Sequence, residues 1–519
     1  LQQHDFRLVY EALHERQLLL ENAPHLVVPL PFLIPLFGRD GVVNKAVSRT
    51  YSTALWMYDL TGGWRIGKRH KRIGREQALA HLPTLKAEHL VAAFIYYDAR
   101  SDDARLTLTV MRTAAVNHGA VAVNYAEVTG LLHNGAGRAS GARVRAWIPG
   151  SAHETSGTGS GRGEREIEVR ASVVVNATGV WADDLRALDE AAHPHSLRPA
   201  KGVHLTVSRS RLPTDIAAVI PARSDRRQIF VVPWADGDDV YLGTTDTDWD
   251  GPLDDPACMP EDVDYILQAA NGSTTSALGR ADVTGVWAGL RPLLDPGDKH
   301  VSARTKDLSR RHTVHTSEHG VVTVTGGKLT TYRRMAEQTV DAAAKVLGKP
   351  GVGPSRTRHL RLIGAPGGAS ELSAMTGPRA ADRLGISTDQ LQALVHRHGT
   401  ETADVLDLAS HRSELLQPLV EGLPYLKAEA VFAAREEMAL TVDDIMSRRT
   451  RSVLRRAEAT KSAADGVAEM LAAETGRDPV GVLAETQAFK GRVARDMRRA
   501  GLGESASDPA ERDVEQGAR

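Results

Sequence analysis

Cysteine is almost absent from this sequence, since Cys258 is the only one among 519 residues. A single thiol excludes an intramolecular disulfide and a metal or iron–sulfur site built from several cysteines, and it favours a reducing compartment. No run of about 18 apolar residues occurs, so the sequence predicts no membrane-spanning helix. Neither sign of charge is in excess, because 64 Lys and Arg face 65 Asp and Glu. This balance excludes a chain whose whole surface binds polyanions.

Two further absences concern the start of the chain and its glycine loops. The sequence begins at Leu1 rather than at methionine and enters a helical pattern without a signal peptide, so we expect Leu1 to lie within a longer protein. The G-x-G-x-x-G loop that brings a helix N-terminus to a pyrophosphate is also absent. The glycine-rich segment 151–163 has another spacing and joins two predicted strands, so we interpret it as a flexible turn.

The remaining patterns predict about two to four domains, with mixed α/β structure first and helices last. Apolar spacing predicts helices over 5–22, 43–60, 262–271 and 330–347 and a helix opening at Asp103. Extended segments are predicted at 27–37, 120–125, 128–150, 166–176, 200–245 and 321–325. After a linker at 364–368 only helices are predicted, at 389–397, 402–409, 425–440, 442–457, 461–474 and 479–499.

Two strand ends could receive a ligand. After a buried strand that ends at Asn176, small residues leave the backbone accessible: Ala177, Thr178 and Gly179. A second strand runs into a turn and a helix start whose free N–H groups suit an anionic group: Gly326, Gly327, Lys328, Leu329, Thr330 and Thr331. Each pattern is weak alone, because ordinary strand-to-helix turns share it.

Three polar residues stand out on predicted strands or beside them. Arg291 lies in an apolar run, where an unpaired charge is costly, so it either forms a structural salt bridge or binds an anion in bidentate fashion. Arg310 is a more ambiguous second arginine, since other arginines are near. His204 is either a core histidine or a catalytic one. A basic run over 65–75 is either a solvated loop or a contact for acidic lipid headgroups.

Taken together, these motifs resemble the FAD-dependent glycerol-3-phosphate dehydrogenases of respiratory chains. The resemblance extends to about residue 460 and is carried by Asn-Ala-Thr-Gly-Val-Trp (176–181), Lys-Gly-Val-His (201–204), Ala-Gly-Leu-Arg-Pro-Leu (288–293) and Gly-Gly-Lys-Leu-Thr-Thr-Tyr-Arg (326–333). It implies an α/β (α+β) fold. A Rossmann-like FAD domain of the D-amino-acid-oxidase and glutathione-reductase type is interleaved with a mixed-sheet substrate domain, and an all-helical cap follows.

Along the chain, the resemblance implies six segments. Residues 1–84 form the first part of the substrate domain and follow an FAD-binding βαβ unit that this sequence does not include. Residues 85–183 form the middle of the FAD domain, and 184–320 the main part of the substrate domain. Residues 321–350 supply the last strand and helix of the FAD domain, 366–500 the helical C-terminal domain, and 501–519 a disordered tail.

The resemblance also implies roles for single residues. Arg291 and Lys328 bind the substrate phosphate or its reacting end, Arg310 contacts the glycerol hydroxyls, and His204 is the candidate base. The substrate-binding set also includes Thr330, and Lys328 and Arg310 count as catalytic. Ala177, Thr178 and Gly179 line the cofactor, the turn Gly326–Thr331 faces the flavin pyrimidine, and the strand around Val128 contacts the adenosine half through its backbone. No metal ligand is expected.

The implied reaction is the oxidation of sn-glycerol 3-phosphate to dihydroxyacetone phosphate by hydride transfer to FAD, with a membrane quinone as the final acceptor. The implied location is the inner face of the cytoplasmic membrane, where the basic run meets an anionic surface as a peripheral contact. A homodimer is compatible with this interpretation, and nucleic acid is not an expected partner. Two alternatives remain open: a glycerol-3-phosphate oxidase that uses O2, and a non-catalytic remnant without the cofactor cradle.

Overall fold

The computed structural model describes residues 6–38, 45–62, 66–147, 164–190, 194–222, 227–295, 311–348, 353–376 and 378–503. Arg310, the predicted contact for the glycerol hydroxyls, lies outside these residues. So do the predicted flexible turn at 151–163 and residues 504–519 of the predicted tail.

Fifteen strands are described: β1 (Val28–Phe37), β2 (Lys71–Gly74), β3 (Leu90–Arg100), β4 (Ala126–His133), β5 (Ala139–Trp147), β6 (Glu164–Arg170), β7 (Val175–Asn176), β8 (Leu197–Ser208), β9 (Ala217–Pro221), β10 (Gln228–Pro233), β11 (Asp239–Gly243), β12 (Thr247–Asp248), β13 (Val283–Leu294), β14 (His312–Thr316) and β15 (Val322–Gly326).

The helices of the described segments are α1 (Phe6–Asn22), α2 (Lys45–Thr61), α3 (Arg75–His81), α4 (Asp103–His118), α5 (Ala182–Glu190), α6 (Pro260–Ser273), α7 (Tyr332–Val346), α8 (Ala369–Met375), α9 (Pro378–Leu384), α10 (Thr388–His398), α11 (Thr402–Asp407), α12 (Lys427–Glu436), α13 (Ser452–Arg455), α14 (Ala457–Thr475) and α15 (Pro479–Arg499). None of them is long and apolar enough to cross a membrane.

The largest sheet has nine strands in the order β12-β8-β11-β10-β9-β1-β3-β2, with β13 paired to β8 as well. Its pairs are antiparallel except for β1 and β9. Strand β1 contains Pro29, Pro31 and Pro35, which are two and four residues apart. Residues at these spacings direct their backbone nitrogens to the same side of a strand, so all three missing N–H groups lie on one side of β1. The proline-rich segment predicted as extended is therefore confirmed as a strand.

Two smaller sheets complete the α/β part. Strands β14, β15 and β7 form one of them, in which β15 and β7 run parallel, and β4, β5 and β6 form an antiparallel meander. Two strands predicted from the sequence in this part of the chain differ from the structure. Residues 120–125 are not a strand, and the side chain of Val121 is 90% exposed. The predicted strand at 128–150 is a hairpin, because Asn134 and Gly137 (φ 75°) close a turn between β4 and β5.

The nine-stranded sheet crosses the domain boundary predicted at residue 84. Strand β3 falls in the segment predicted to be the FAD domain, yet it pairs with β1 from Val28↔Arg100 to Phe37↔Leu90. The nine-stranded sheet therefore takes in residues up to 100. Local periodicity shows that a strand exists but not which strand it pairs with, so the sequence did not reveal this assignment.

The C-terminal helices share one hydrophobic core with the nine-stranded sheet. Val203 and Leu205 of β8 belong to the same buried cluster as Val467 of α14 and Phe489 of α15. The C-terminal domain approaches the sheet closely at Gly285 of β13, where an added Cβ would lie 2.2 Å from the carbonyl oxygen of Leu454. The C-terminal helices therefore pack directly on the large sheet.

The predicted helix 442–457 is interrupted. A capping box begins it, because the backbone nitrogen of Thr441 donates to the Asp444 carboxylate and the backbone nitrogen of Asp444 donates to the Thr441 hydroxyl. A π-helical segment (Asp444–Arg449) follows, and Arg451 then adopts a left-handed backbone conformation with φ 59° before α13 begins. The interruption lets Arg451 bind two aspartates of another element, which local helix propensity does not report.

Candidate active site

Two paired strands place the predicted arginine and histidine on one face of the large sheet. In the register of β8 and β13, Trp287 lies opposite His204 and Arg291 lies opposite Ala200. Residues two apart in a strand point to the same face. His204 and Arg291 therefore project from the same side of the sheet, and the level of Gly202 lies between them.

The guanidinium of Arg291 lies directly over Gly202. A Cβ at Gly202 would fall 2.5 Å from Nη2 of Arg291, so only glycine leaves room for this arrangement. Nη2 donates to Oγ1 of Thr244 at 3.0 Å, and Nη1 lies 3.4 Å from Oδ1 of Asp246. The side chain of Arg291 nevertheless remains 29% exposed. It therefore forms the salt bridge that the sequence raised as one option, and part of its side chain remains exposed.

His204 is enclosed by aromatic rings. Its ring stacks on Trp287 with centroids 5.0 Å apart, and Tyr241 meets it edge-on at 5.9 Å. Across the pair of β8 with β11, a Cβ at Gly243 would fall 2.3 Å from Cδ2 of His204. Burial, and then the charge of Arg291, lower the pKa of His204 to about 4. The imidazole is therefore neutral near pH 7, the form that can accept a proton.

Asp103 and Arg451 lie near this face, and the sequence did not identify them as site residues. Arg451 pairs with Asp102 at 3.0 Å and with Asp103, at the start of α4. The charges of Asp103 and Arg451 both act on the pKa of His204, in opposite directions. The sequence showed only that Asp103 opens a helix, since its ionic partner lies 348 residues further along the chain.

The two strand ends with small residues meet at one edge of the parallel pair. Val175 of β7 lies opposite Val322 of β15, and Asn176 lies opposite Thr323. The residues that follow, 177–179 and 326–331, therefore leave the sheet at the same carboxyl edge. The buried Asn176 shapes the first turn, because its side-chain oxygen accepts hydrogen bonds from both the backbone nitrogen and the hydroxyl of Thr178.

The second turn depends on its two glycines. Gly326 and Gly327 have φ values of 72° and 89°, where a side chain would be strained. Lys328 then caps a 3₁₀ turn (Leu329–Thr331) that leads into α7, and the backbone oxygen of Lys328 accepts a hydrogen bond from the buried Thr331. Thr330, in the same turn, is half-buried. The turn thus directs the free N–H groups of a helix start towards the carboxyl edge.

An open cavity of about 750 Å³ connects the cofactor-type turn with the charged residues around His204. Leu329 lines it from the turn, and Asp103 and Arg451 line it from α4 and the cap. Among the described residues, Leu329 is the one predicted site residue in the lining of this cavity, whereas His204 and Arg291 do not line it. Val128 is separate, because it lies in the meander, paired with Val144.

Comparisons with known proteins show the family of this chain. Residues 2–333 match the family model of FAD dependent oxidoreductases, and residues 355–480 match the C-terminal domain of alpha-glycerophosphate oxidase. The chain is 38% identical to glycerol-3-phosphate dehydrogenase of Mycobacterium leprae over 499 residues, which covers 96% of this chain and 80% of that protein. It is 35% identical to the human mitochondrial glycerol-3-phosphate dehydrogenase, covering 91% of this chain and 62% of that protein.

A solved structure is similar along most of the chain. The crystal structure of glycerol-3-phosphate dehydrogenase from Bacillus halodurans, complexed with FAD, is 29% identical and superposes with a TM-score of 0.70. The match covers 94% of this chain and 84% of that one. The fold expected from the sequence, an FAD-dependent oxidoreductase fold with a helical C-terminal domain, is confirmed.

Proposed function

Because this chain belongs to the FAD-dependent glycerol-3-phosphate dehydrogenases, we propose that it oxidises sn-glycerol 3-phosphate to dihydroxyacetone phosphate and passes the electrons to a quinone. The family makes it a flavin-dependent oxidoreductase. The observation that supports this substrate is the position of a partly exposed arginine and a neutral histidine on one face of the large sheet.

The residues at the carboxyl edge fit the flavin end of FAD. Ala177, Thr178 and Gly179 are exposed there, and an added Cβ at Gly179 would meet nothing within 4 Å. The N–H groups at the start of the Leu329–Thr331 turn suit the pyrimidine edge of a flavin, where negative charge gathers on reduction. When bound, FAD would accept the hydride, which carries both electrons of the oxidation. The contact of Val128 with the adenosine half stays a prediction.

The chain's own residues supply binding and proton transfer. Arg291 binds the phosphate dianion, and this binding energy, which lies away from the reacting carbon, orients the C2–H bond. The neutral His204 accepts the proton of the C2 hydroxyl. Trp287 and Tyr241 hold the imidazole ring in place and exclude water from it. Lys328, at the cofactor turn, and Arg310 keep their predicted substrate roles in this proposal.

An anaerobic flavin assay tests the proposal. We expect the purified chain, supplied with FAD, to lose its oxidised-flavin absorbance when glycerol 3-phosphate is added and to keep it with glycerol, which offers Arg291 no phosphate. A soluble ubiquinone analogue should restore the absorbance faster than O2. Peroxide formed in step with substrate would make the protein an oxidase instead. Bound FAD that glycerol 3-phosphate does not reduce would contradict the proposal, whereas a chain that binds no FAD would show only that these 519 residues are inactive by themselves.

The exposed basic run supports the proposed location on an anionic membrane surface. Lys68, Arg69 and Lys71 are exposed, whereas Arg65 lies outside the described residues. The neighbouring helix α2 also exposes apolar side chains, because Trp56 is 49% exposed and Leu60 is 75% exposed. Basic residues beside exposed apolar side chains are typical of helices that lie in a membrane interface. A homodimer stays a prediction.

Charge reversal in this run should release the protein from anionic vesicles. Each basic residue near such a surface contributes about 1 kcal/mol, so replacing Lys68, Arg69 and Lys71 by Glu should weaken partitioning at least about a hundredfold. Flotation with phosphatidylserine vesicles measures this. A matched control reverses three exposed arginines of the meander, Arg143, Arg165 and Arg170, and should leave flotation unchanged. If both variants lost vesicle binding equally, the binding would reflect general charge attraction, and the proposal that Lys68, Arg69 and Lys71 dock on the membrane would be contradicted.

A further inference from the structure

Three side chains from separate segments converge at the end of the small sheet opposite the cofactor turn. His133 ends β4, Asp189 lies in the last turn of α5, and His319 lies in the turn between β14 and β15. One ligand-type atom from each lies within 4.8 Å of the other two. Because β15 leaves this turn and ends at Gly326, the cluster is separated from the candidate active site by the length of a strand.

The carboxylate of Asp189 is the centre of the cluster. Its Oδ1 lies 3.1 Å from Nδ1 of His319 and 3.5 Å from Nε2 of His133. The side chain is 1% exposed, and Oδ2 is a buried oxygen with no hydrogen-bond partner among the described residues. A buried carboxylate with an unsatisfied oxygen is costly, so this position favours a bound cation.

We propose that His133, Asp189 and His319 bind a divalent transition-metal ion, with Zn²⁺ as the best match. Two imidazoles and one carboxylate with an open fourth position form a ligand set that zinc favours. In a tetrahedral site with bonds of about 2.0–2.1 Å, neighbouring ligand atoms lie about 3.3 Å apart. The distances of 3.1 and 3.5 Å from Asp189 to the two imidazoles lie on either side of that value.

The two histidines are held in position and remain reachable from solvent. The turn of His319 is fixed by a hydrogen bond from the backbone nitrogen of Ala139 to the carbonyl oxygen of His319 at 2.9 Å. The rings of His133 and His319 meet edge to face with centroids 5.3 Å apart. Their side chains are 34% and 41% exposed, so an ion can enter and a water molecule can complete its coordination. The bound ion would join the meander, α5 and the β14–β15 hairpin.

The test is a titration of the untagged, EDTA-treated chain with Zn²⁺, followed by calorimetry, and with Co²⁺, whose visible spectrum reports tetrahedral coordination. We expect one ion per chain and a higher melting temperature with Zn²⁺. His133→Ala and His319→Ala should each weaken Zn²⁺ binding at least about tenfold. Because truncation to alanine can also destabilise the fold, His133→Gln is measured beside them, with the melting temperature without metal as the check on folding.

A matched control separates this cluster from ordinary histidine–aspartate pairs. Nδ1 of His81 lies 2.9 Å from Oδ1 of the exposed Asp215, and no third ligand-type side chain of the described residues converges on that pair. His81→Ala should therefore keep the full affinity for Zn²⁺. Absence of saturable binding, or an affinity unchanged by both substitutions at His133 and His319, would overturn the proposal. The readouts do not depend on FAD or on activity.

Discussion

Replacing Arg291 by alanine is expected to lower kcat/KM for glycerol 3-phosphate about a hundredfold, chiefly through a higher KM. A charge-assisted hydrogen bond contributes about 1.5–3 kcal/mol, and each 1.4 kcal/mol corresponds to about a factor of ten. Arg291→Lys keeps the charge but loses the planar fork of donors, so it should recover part of the activity. Steady-state kinetics with glycerol 3-phosphate and a quinone analogue measure both variants.

A second readout of the same variant concerns His204. Because the charge of Arg291 lowers the pKa of His204, its removal should raise that pKa from about 4, while burial keeps it below the ordinary histidine value. The pH dependence of kcat/KM, or histidine NMR signals, would report the shift.

The control for Arg291 is Arg211, an exposed arginine that pairs with Asp282 at 2.6 Å. Arg211→Ala should leave the kinetics unchanged. An unchanged KM for glycerol 3-phosphate in Arg291→Ala would mean that this guanidinium does not bind the phosphate.

Replacing Arg455 by alanine is expected to lower the free energy of unfolding by about 3–5 kcal/mol, because it breaks a buried ion pair and leaves the buried Asp239 with only the partly exposed Arg456 as a partner among the described residues. The side chain of Arg455 is 0% exposed, and it binds Asp236 at 2.9 Å and Asp239 at 2.9 Å. Its guanidinium also lies 5.1 Å from the ring centre of Trp234 and 5.6 Å from that of Tyr425. Arg455 thereby ties the helical cap to the large sheet.

Urea denaturation measures this effect, and the neighbouring residue provides the control. Arg456 reaches the same Asp239, but at 3.4 Å and with a side chain 31% exposed. Arg456→Ala should therefore cost no more than about 1 kcal/mol. If Arg455→Ala and Arg456→Ala lowered the free energy of unfolding by similar amounts, burial of Arg455 would not determine the strength of the contact between the cap and the sheet.

Much of the candidate site could be read from the sequence because its signals are local. The positions of His204 and Arg291 on strands, and the small residues after Asn176 and at Gly326, follow from patterns of a few neighbouring residues. The helices α1, α2 and α7 were predicted within about two residues, since each shows the 3.6-residue apolar period.

Other features depend on contacts between distant parts of the chain. The pairing of Arg451 with Asp103, the position of β3 beside β1, and the exposed segment that begins at Ala120 all fall in this group. No local period distinguishes a strand that finds a partner from an alternating segment that does not, which is why residues 120–125 were predicted wrongly.

The sequence by itself determined the family, helices such as α1, α2 and α7, and the residues that we propose for phosphate binding and proton transfer. These follow from motifs and periods within short stretches of chain. Only the tertiary structure decided that Arg291 lies over Gly202, that aromatic rings enclose His204, and that His133, Asp189 and His319 converge. The physical reason is that burial, pKa and ligand geometry arise from neighbours in space, and here those neighbours lie up to several hundred residues apart.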